Sequence, residues 1–198
     1  MIAVDLDAVA VPLRLETLFG RRAPLVVDLG SGKGRFLLEL AAQRPDLDLI
    51  GVERARKYYE LVCQRAARRG LTNVRMLHTT GEDLLFRLLP DRSVSLFCVL
   101  FPDPWPKKRH HKRRFVRPEN VARIAEVLEP GGRLLVKTDH PGYAEVIEEV
   151  LRDVPGLTPV DPAAAFEGLP ITGFEHKYRV EGRPIRAFAL ERSAATSA

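Results

Sequence analysis

The chain has 198 residues, 45% of them hydrophobic and 29% charged, and carries a net charge of +5. That length and composition suit one globular domain with a substantial core, and no apolar run approaches the ~20 residues a membrane-spanning helix needs. Asp5 and Asp7 stand where a secretory leader carries cations, so a signal peptide is excluded and the cytoplasm is the expected compartment.

Residues 1–22 read as a short leader, packed on the domain or partly mobile. Beyond it, apolar runs alternate with amphipathic stretches. Strands are expected at 25–29, 47–52, 73–77, 94–100 and 133–137, and helices at 33–43, 55–69, 82–89, 118–128 and 143–152. Gly70 ends one helix, Pro118 begins another, and Pro130-Gly131-Gly132 is expected to break the chain before the fifth strand. Short continuous strands separated by helices mean an α/β fold whose mostly parallel sheet is buried on both faces. Ligands in such a doubly wound sheet bind at the carboxyl ends of the strands. Residues 155–170 are rich in Pro and Ala, and 185–190 reads as a last strand. The main domain then spans 23–192, with a tail at 193–198. Cys63 and Cys98 lie in an expected helix and an expected strand, as reduced, buried small hydrophobes. The histidines form no ligand spacing with them, so no metal is expected.

The first strand runs into Asp28-Leu29-Gly30-Ser31-Gly32-Lys33-Gly34. Glycines at a strand-to-helix turn let the backbone approach a ligand. A dinucleotide-binding turn would place its third glycine at 35, where Arg35 stands. A carboxylate at Asp28 repels a pyrophosphate but suits a ligand with a cationic group. Glu53 ends the second strand, where an acid accepts hydrogen bonds from ribose hydroxyls; it also suits a helix N-terminus. This pattern favours S-adenosylmethionine over NAD.

At 101–117, FPDPWPKKRHHKRRFVR, seven cations face one acid, Asp103, so the chain's positive excess sits in one segment. A solvated basic run is the ordinary reading of such a cluster. Prolines on both sides of Asp103 instead fix a carboxylate beside it at a strand end, where a polyanion would be delivered to chemistry. Trp105 suits either a stacked base or a buried anchor. Asp139 also lies just past a strand end.

Together these features resemble the tRNA guanine-N7 methyltransferases of the bacterial TrmB type, from about residue 25 to 191. The most specific signatures are PDPWPKKRHHKRR at 102–114 and Ile171-Thr172-Gly173-Phe174-Glu175. The resemblance implies a class I, Rossmann-like methyltransferase fold of seven strands, the last antiparallel. It implies S-adenosylmethionine-dependent transfer of a methyl group to N7 of the variable-loop guanine, position 46 of tRNA. It assigns Asp28, Gly30, Gly32, Gly34, Glu53, Thr80 and Asp103 to the cofactor, with Asp103 also catalytic. Lys107, Arg109, His110, His111, Lys112, Arg113, Arg114, Asp139, Thr172, Gly173, Phe174 and Glu175 fall on substrate or RNA positions. A monomer or homodimer is expected.

Three departures stand out. Thr80 replaces the family's usual aspartate, leaving the adenine to Thr80, Glu82, Asp83 or backbone. Gly182-Arg183-Pro184 replaces Gly-His-Gly, and the N-terminal extension of longer relatives is missing. Two alternatives remain at this point: a methyltransferase acting on another RNA, and a non-catalytic RNA-binding module on the same fold. As purely structural residues, Thr172 and Glu175 would be a helix-cap or hairpin pair.

Overall fold

A computed structural model describes residues 2–194. Seven strands form one sheet: β1 (Leu25–Leu29), β2 (Asp48–Val52), β3 (Val74–Leu77), β4 (Val94–Leu100), β5 (Leu128–Thr138), β6 (Leu157–Pro159) and β7 (Arg186–Arg192). Their order is β3-β2-β1-β4-β5-β7-β6. β7 runs antiparallel to both its neighbours, and the central strands are parallel. The parallel strands are buried on both faces, which is why their sequences read as continuous apolar runs rather than alternations.

Two hydrophobic clusters cover the two faces. One packs α2 (Arg35–Gln43), α3 (Arg56–Arg68) and α7 (Pro162–Phe166) through Leu37, Leu40, Val62 and Ala66. The other packs α1 (Leu15–Phe19), α4 (Gly81–Asp83) with the wider turn Leu84–Leu88 that continues it, α5 (Pro118–Val127) and α6 (Pro141–Leu151). An eighth helix, α8 (Gly173–Val180), caps the carboxyl end of β5, beside the amino end of the antiparallel β7. β6, α1, α7 and α8 are short elements that periodicity misses. The Thr172-x-x-Glu175 spacing is the one signal that announces α8: Thr172 is its N-cap and accepts from the Glu175 N–H at 2.9 Å.

The expected break at Pro130-Gly131-Gly132 is instead a bulge inside β5. Val94 pairs with Leu128 while Leu96 pairs with Arg133, so the intervening residues arch out of register, helped by the positive φ of 78° at Gly131. The leader is tied down. The Val4 N–H donates to Met76 and the Met76 N–H to Ile2, while Arg75 reaches the Leu18 carbonyl and lies over the Phe19 ring. Of the tail, 195–198 lies outside the described residues.

Close packing of α2 on β2 explains Gly51: an added Cβ would stand 2.5 Å from both Leu37 and Met76. Gly51→Ala is expected to lower the unfolding free energy by about 1–3 kcal/mol, as overpacking does. Urea denaturation checks this, and an unchanged midpoint would refute it.

Candidate active site

The carboxyl ends of β1, β2 and β4 open into a cavity of about 530 Å³, a volume typical of small-molecule sites. Gly30 and Gly32 form its floor, Glu53 and Tyr58 one wall, and Asp103, Trp105 and Phe174 the mouth. Gly30 and Gly32 have φ of 75° and 53°, which L side chains rarely adopt. A Cβ on Gly30 would meet no protein atom, so it would stand in the open cavity. Glu53 fastens this floor: one carboxylate oxygen accepts from the Gly32 N–H at 2.9 Å and the other from the Ala55 N–H at 2.7 Å. Gly34 does different work. It is the N-cap of α2 at φ 76°, and an added Cβ would stand 2.7 Å from Val62, so it serves α2–α3 packing and does not line the cavity.

Asp28 likewise does not line the cavity. It is buried under the glycine turn, between Gly51 of β2 and Cys98 of β4. Burial pushes its carboxyl up to about 7; Ser31 opposes the shift and the charge of Glu53 adds to it. Cys98 is buried beside it and its thiol is pushed up, chiefly by burial; Cys63 is only half-buried, and both are free. Thr80 lines the cavity and caps α4, its hydroxyl oxygen accepting from the Asp83 N–H. Of the acids near it, Asp83 is bound by Thr79 and Arg87, whereas Glu82 lines the cavity.

Asp103 is exposed at the mouth, in a turn whose backbone is held from both sides. Before it, Phe101 has φ 57°, a costly conformation for a bulky residue. Its N–H donates to the Lys137 carbonyl at 2.8 Å. After it, Arg114 donates from Nε to the Pro104 carbonyl at 2.8 Å and lies 4.7 Å from the Tyr143 ring centre. Arg114 is therefore a correction to the sequence reading. It is 6% exposed and holds the Asp103 turn rather than facing solvent.

Glu175 is the second correction. It is 2% exposed, and Lys137 Nζ donates to both its carboxylate oxygens, at 2.9 and 3.0 Å; Arg179 adds a further contact. Lys137 also sits 3.9 Å from the Phe166 ring centre. The Glu175 carboxylate thus anchors α8 to β5, while Phe174 alone of the 172–175 group reaches the cavity. Thr172 caps the helix and Gly173 opens it. Asp139 pairs with Arg183 at 3.2 Å, outside the cavity. Lys137, Phe101 and Tyr178 went unnoticed in the sequence. Phe101, Phe174 and Tyr178 form an aromatic cluster with ring centres 5.6–6.5 Å apart, and 54% of Phe174 is exposed.

The basic segment is a short 3₁₀ turn, Lys108–Arg113. Lys107, Arg109, His111 and Lys112 are exposed on it, and His110 meets the edge of Trp105. Arg113 lies over the Trp105 face and lines the cavity mouth. Among the described residues, Lys107, Lys108, Arg109, Lys112 and Arg113 pair with no carboxylate, whereas Arg117 pairs with Glu119 at 2.9 Å. No group of His, Cys, Asp and Glu among the described residues could hold a metal, and no described helix is long and apolar enough to cross a membrane.

Two outcomes follow from this geometry. Folded Asp28 retains its proton to about pH 7, whereas an unfolded aspartate ionises near pH 3.9. Its contribution to stability is thus full below about pH 4 and is lost as pH rises to about 7. Asp28→Asn should flatten that part of the stability–pH curve, and a curve parallel to wild type from pH 4 to 7 would refute the assignment. Lys137→Met strands a buried carboxylate and should cost about 3 kcal/mol; adding Glu175→Leu should restore most of it. Denaturant titration of the double-mutant cycle checks this, and simple additivity would deny the coupling.

A family model described as "Putative methyltransferase" matches residues 22–187. A protein of Mycobacterium avium named tRNA (guanine-N(7)-)-methyltransferase is 41% identical over 189 residues, covering 94% of this chain and 73% of its own. One of the same name from Chromohalobacter salexigens is 40% identical over 172 residues, covering 87% and 70%. Among solved structures, the 16S rRNA methyltransferase KamB superposes with a TM-score of 0.64 at 22% identity, covering 90% and 92%. TrmN from Thermus thermophilus gives 0.59 at 22% identity, covering 90% of this chain and 47% of its own. These two show the fold, a class I methyltransferase sheet. The sequence relatives show more: this chain belongs to the tRNA (guanine-N7-)-methyltransferase family.

Proposed function

We propose that this protein transfers a methyl group from S-adenosylmethionine to N7 of a guanine in tRNA, the variable-loop guanine at position 46. The observation that carries this reading is one cavity with a glycine floor and Glu53 at one end and Asp103 at the other, opening beside unpaired cations. The residues fit the cofactor: positive-φ glycines with open space above them, and a carboxylate able to accept from ribose hydroxyls. S-adenosylmethionine, when bound, supplies an electrophilic methyl on a positively charged sulfur.

Guanine N7 has an in-plane lone pair, so no proton need be removed before it attacks. The chain's task is to hold the base in line and to stabilise the charge that develops on it. Asp103 accepts from the guanine N1–H and N2–H₂ edge, and its negative charge favours the cationic imidazole being formed. Phe174 offers an exposed aromatic face for stacking, as extruded bases require. Lys107, Arg109, Lys112 and Arg113 hold phosphates, which position RNA without reading its sequence. Arg114 and Lys137 act through backbone, keeping Asp103 aimed. Glu82 or the Thr80 hydroxyl reads the adenine. The cytoplasm, where tRNA is modified, is the compartment, and the active unit is a monomer or homodimer.

Mapping methyl incorporation on a tRNA pool should place label on guanine N7 in the variable loop. Asp103→Asn should leave cofactor affinity near wild type and lower turnover by about 10²-fold. Label on another base or atom would overturn the substrate assignment, and a variant retaining more than half the rate would remove Asp103 from the mechanism.

A further inference from the structure

Helix α3 carries a second group of cations that form no ion pair among the described residues. Lys57, Leu61, Gln64, Arg65 and Arg68 recur at three- and four-residue spacing and so share one face of the helix. That face lies opposite Val62 and Ala66, which pack on the sheet. Its charged members are all exposed, and the acid that borders it, three residues from Lys57 and four from Gln64, is Glu60. The one acid of α3, Glu60, is paired with Arg56 at 2.7 Å. Among the described residues, Arg54, Lys57, Arg65, Arg68 and Arg69 pair with no carboxylate; Arg65 donates only to the Lys33 carbonyl, which brings Lys33 alongside. Elsewhere on the surface the arginines are mostly matched, as Arg133 is with Glu191 and Arg186 with Glu148.

Cations at the end of a helix are favoured by its dipole, which accounts for Arg65, Arg68 and Arg69. It does not account for Arg54 and Lys57. They flank the N-terminus of α3, where their charges oppose the dipole and the nearby Glu53 carboxylate is turned to the Gly32 and Ala55 N–H groups. Arg54 also lines the cavity described above. β2 and β4 flank β1 in the sheet, so α3 and the 107–113 segment approach the cavity mouth from opposite sides of the glycine turn.

We propose that the exposed face of α3, from Arg54 and Lys57 at the cavity rim to Arg68, is a second phosphate-binding track for the RNA substrate. Lys57 to Arg68 spans about 16 Å at 1.5 Å per residue, room for several phosphates. RNA seated across the mouth would then be gripped on both sides, with the target base between the two tracks. This inference rests on the RNA-methylating reading of the site. It predicts phosphate contacts on residues that lie away from Asp103 and from the basic segment.

The test is tRNA affinity against salt for wild type, for Lys57→Ala/Arg68→Ala, and for Arg109→Ala/Lys112→Ala, with S-adenosylmethionine affinity measured by calorimetry alongside. The α3 variant should keep its cofactor affinity. Its log–log salt slope should be shallower than wild type by about 1.4, from two contacts at about 0.7 each. The loop variant should lose a similar amount independently. A wild-type slope in the α3 variant, with the loop variant affected, would overturn the second track and leave the RNA-methylating reading intact. Absence of salt-dependent tRNA binding in the wild type would overturn both.

Discussion

The buried ion pair between Lys137 and Glu175 is the contact on which the active-site geometry depends. Its two partners are 10% and 2% exposed at the side chain, and removing one partner of such a pair costs about 3–5 kcal/mol. The side chain of Lys137 fixes α8, and with it Phe174 at the cavity mouth. The carbonyl of the same residue accepts the Phe101 N–H, fixing the strained turn that leads to Asp103. One residue of β5 thus sets the separation between the carboxylate and the aromatic face that would hold a base between them.

The opposite side of that turn is held by a chain of contacts through α6. Tyr143, fully buried, accepts from the Val116 N–H and offers its ring to Arg114, which in turn holds the Pro104 carbonyl. Phe101 and Trp105, both with positive φ, bracket Asp103. Strain of about 1–3 kcal/mol at each is sustained because the surrounding hydrogen bonds over-determine the turn. The functional carboxylate is exposed, yet its backbone has little freedom, which is the condition for stabilising charge without reorganisation.

Charge is sorted by depth. Cations that meet a carboxylate or a carbonyl, such as Arg75, Arg114, Arg123 and Lys137, stitch elements together. Among the described residues, several that meet no carboxylate stand on the 107–113 segment and along α3, whose first turn reaches the cavity. Surface ion pairs contribute little to stability, so leaving these cations unmatched costs the fold almost nothing while concentrating positive potential where a polyanion would arrive.

Much of this was legible in the residues. Alternating apolar runs and amphipathic stretches determined the α/β class and the central strands, because buried parallel strands and half-buried helices have distinct periods. The glycine turn, Glu53 and the Asp103 turn could be placed at strand ends because their spacing is local. What lay beyond sequence reading was pairing at a distance. Lys137 and Glu175 are 38 residues apart, and neither a lysine in a strand nor a glutamate after a threonine reveals that the two neutralise each other. Arg114 is indistinguishable by spacing from Arg113, yet one is buried under Tyr143 and the other lies over Trp105. Asp28 and Gly34 belong to the glycine motif by sequence, but packing by β2, β4 and α3 removes both from the cavity wall. Composition and spacing decided which chemistry the chain carries; burial, a property of the folded whole, decided which of its like-looking residues are free to perform it.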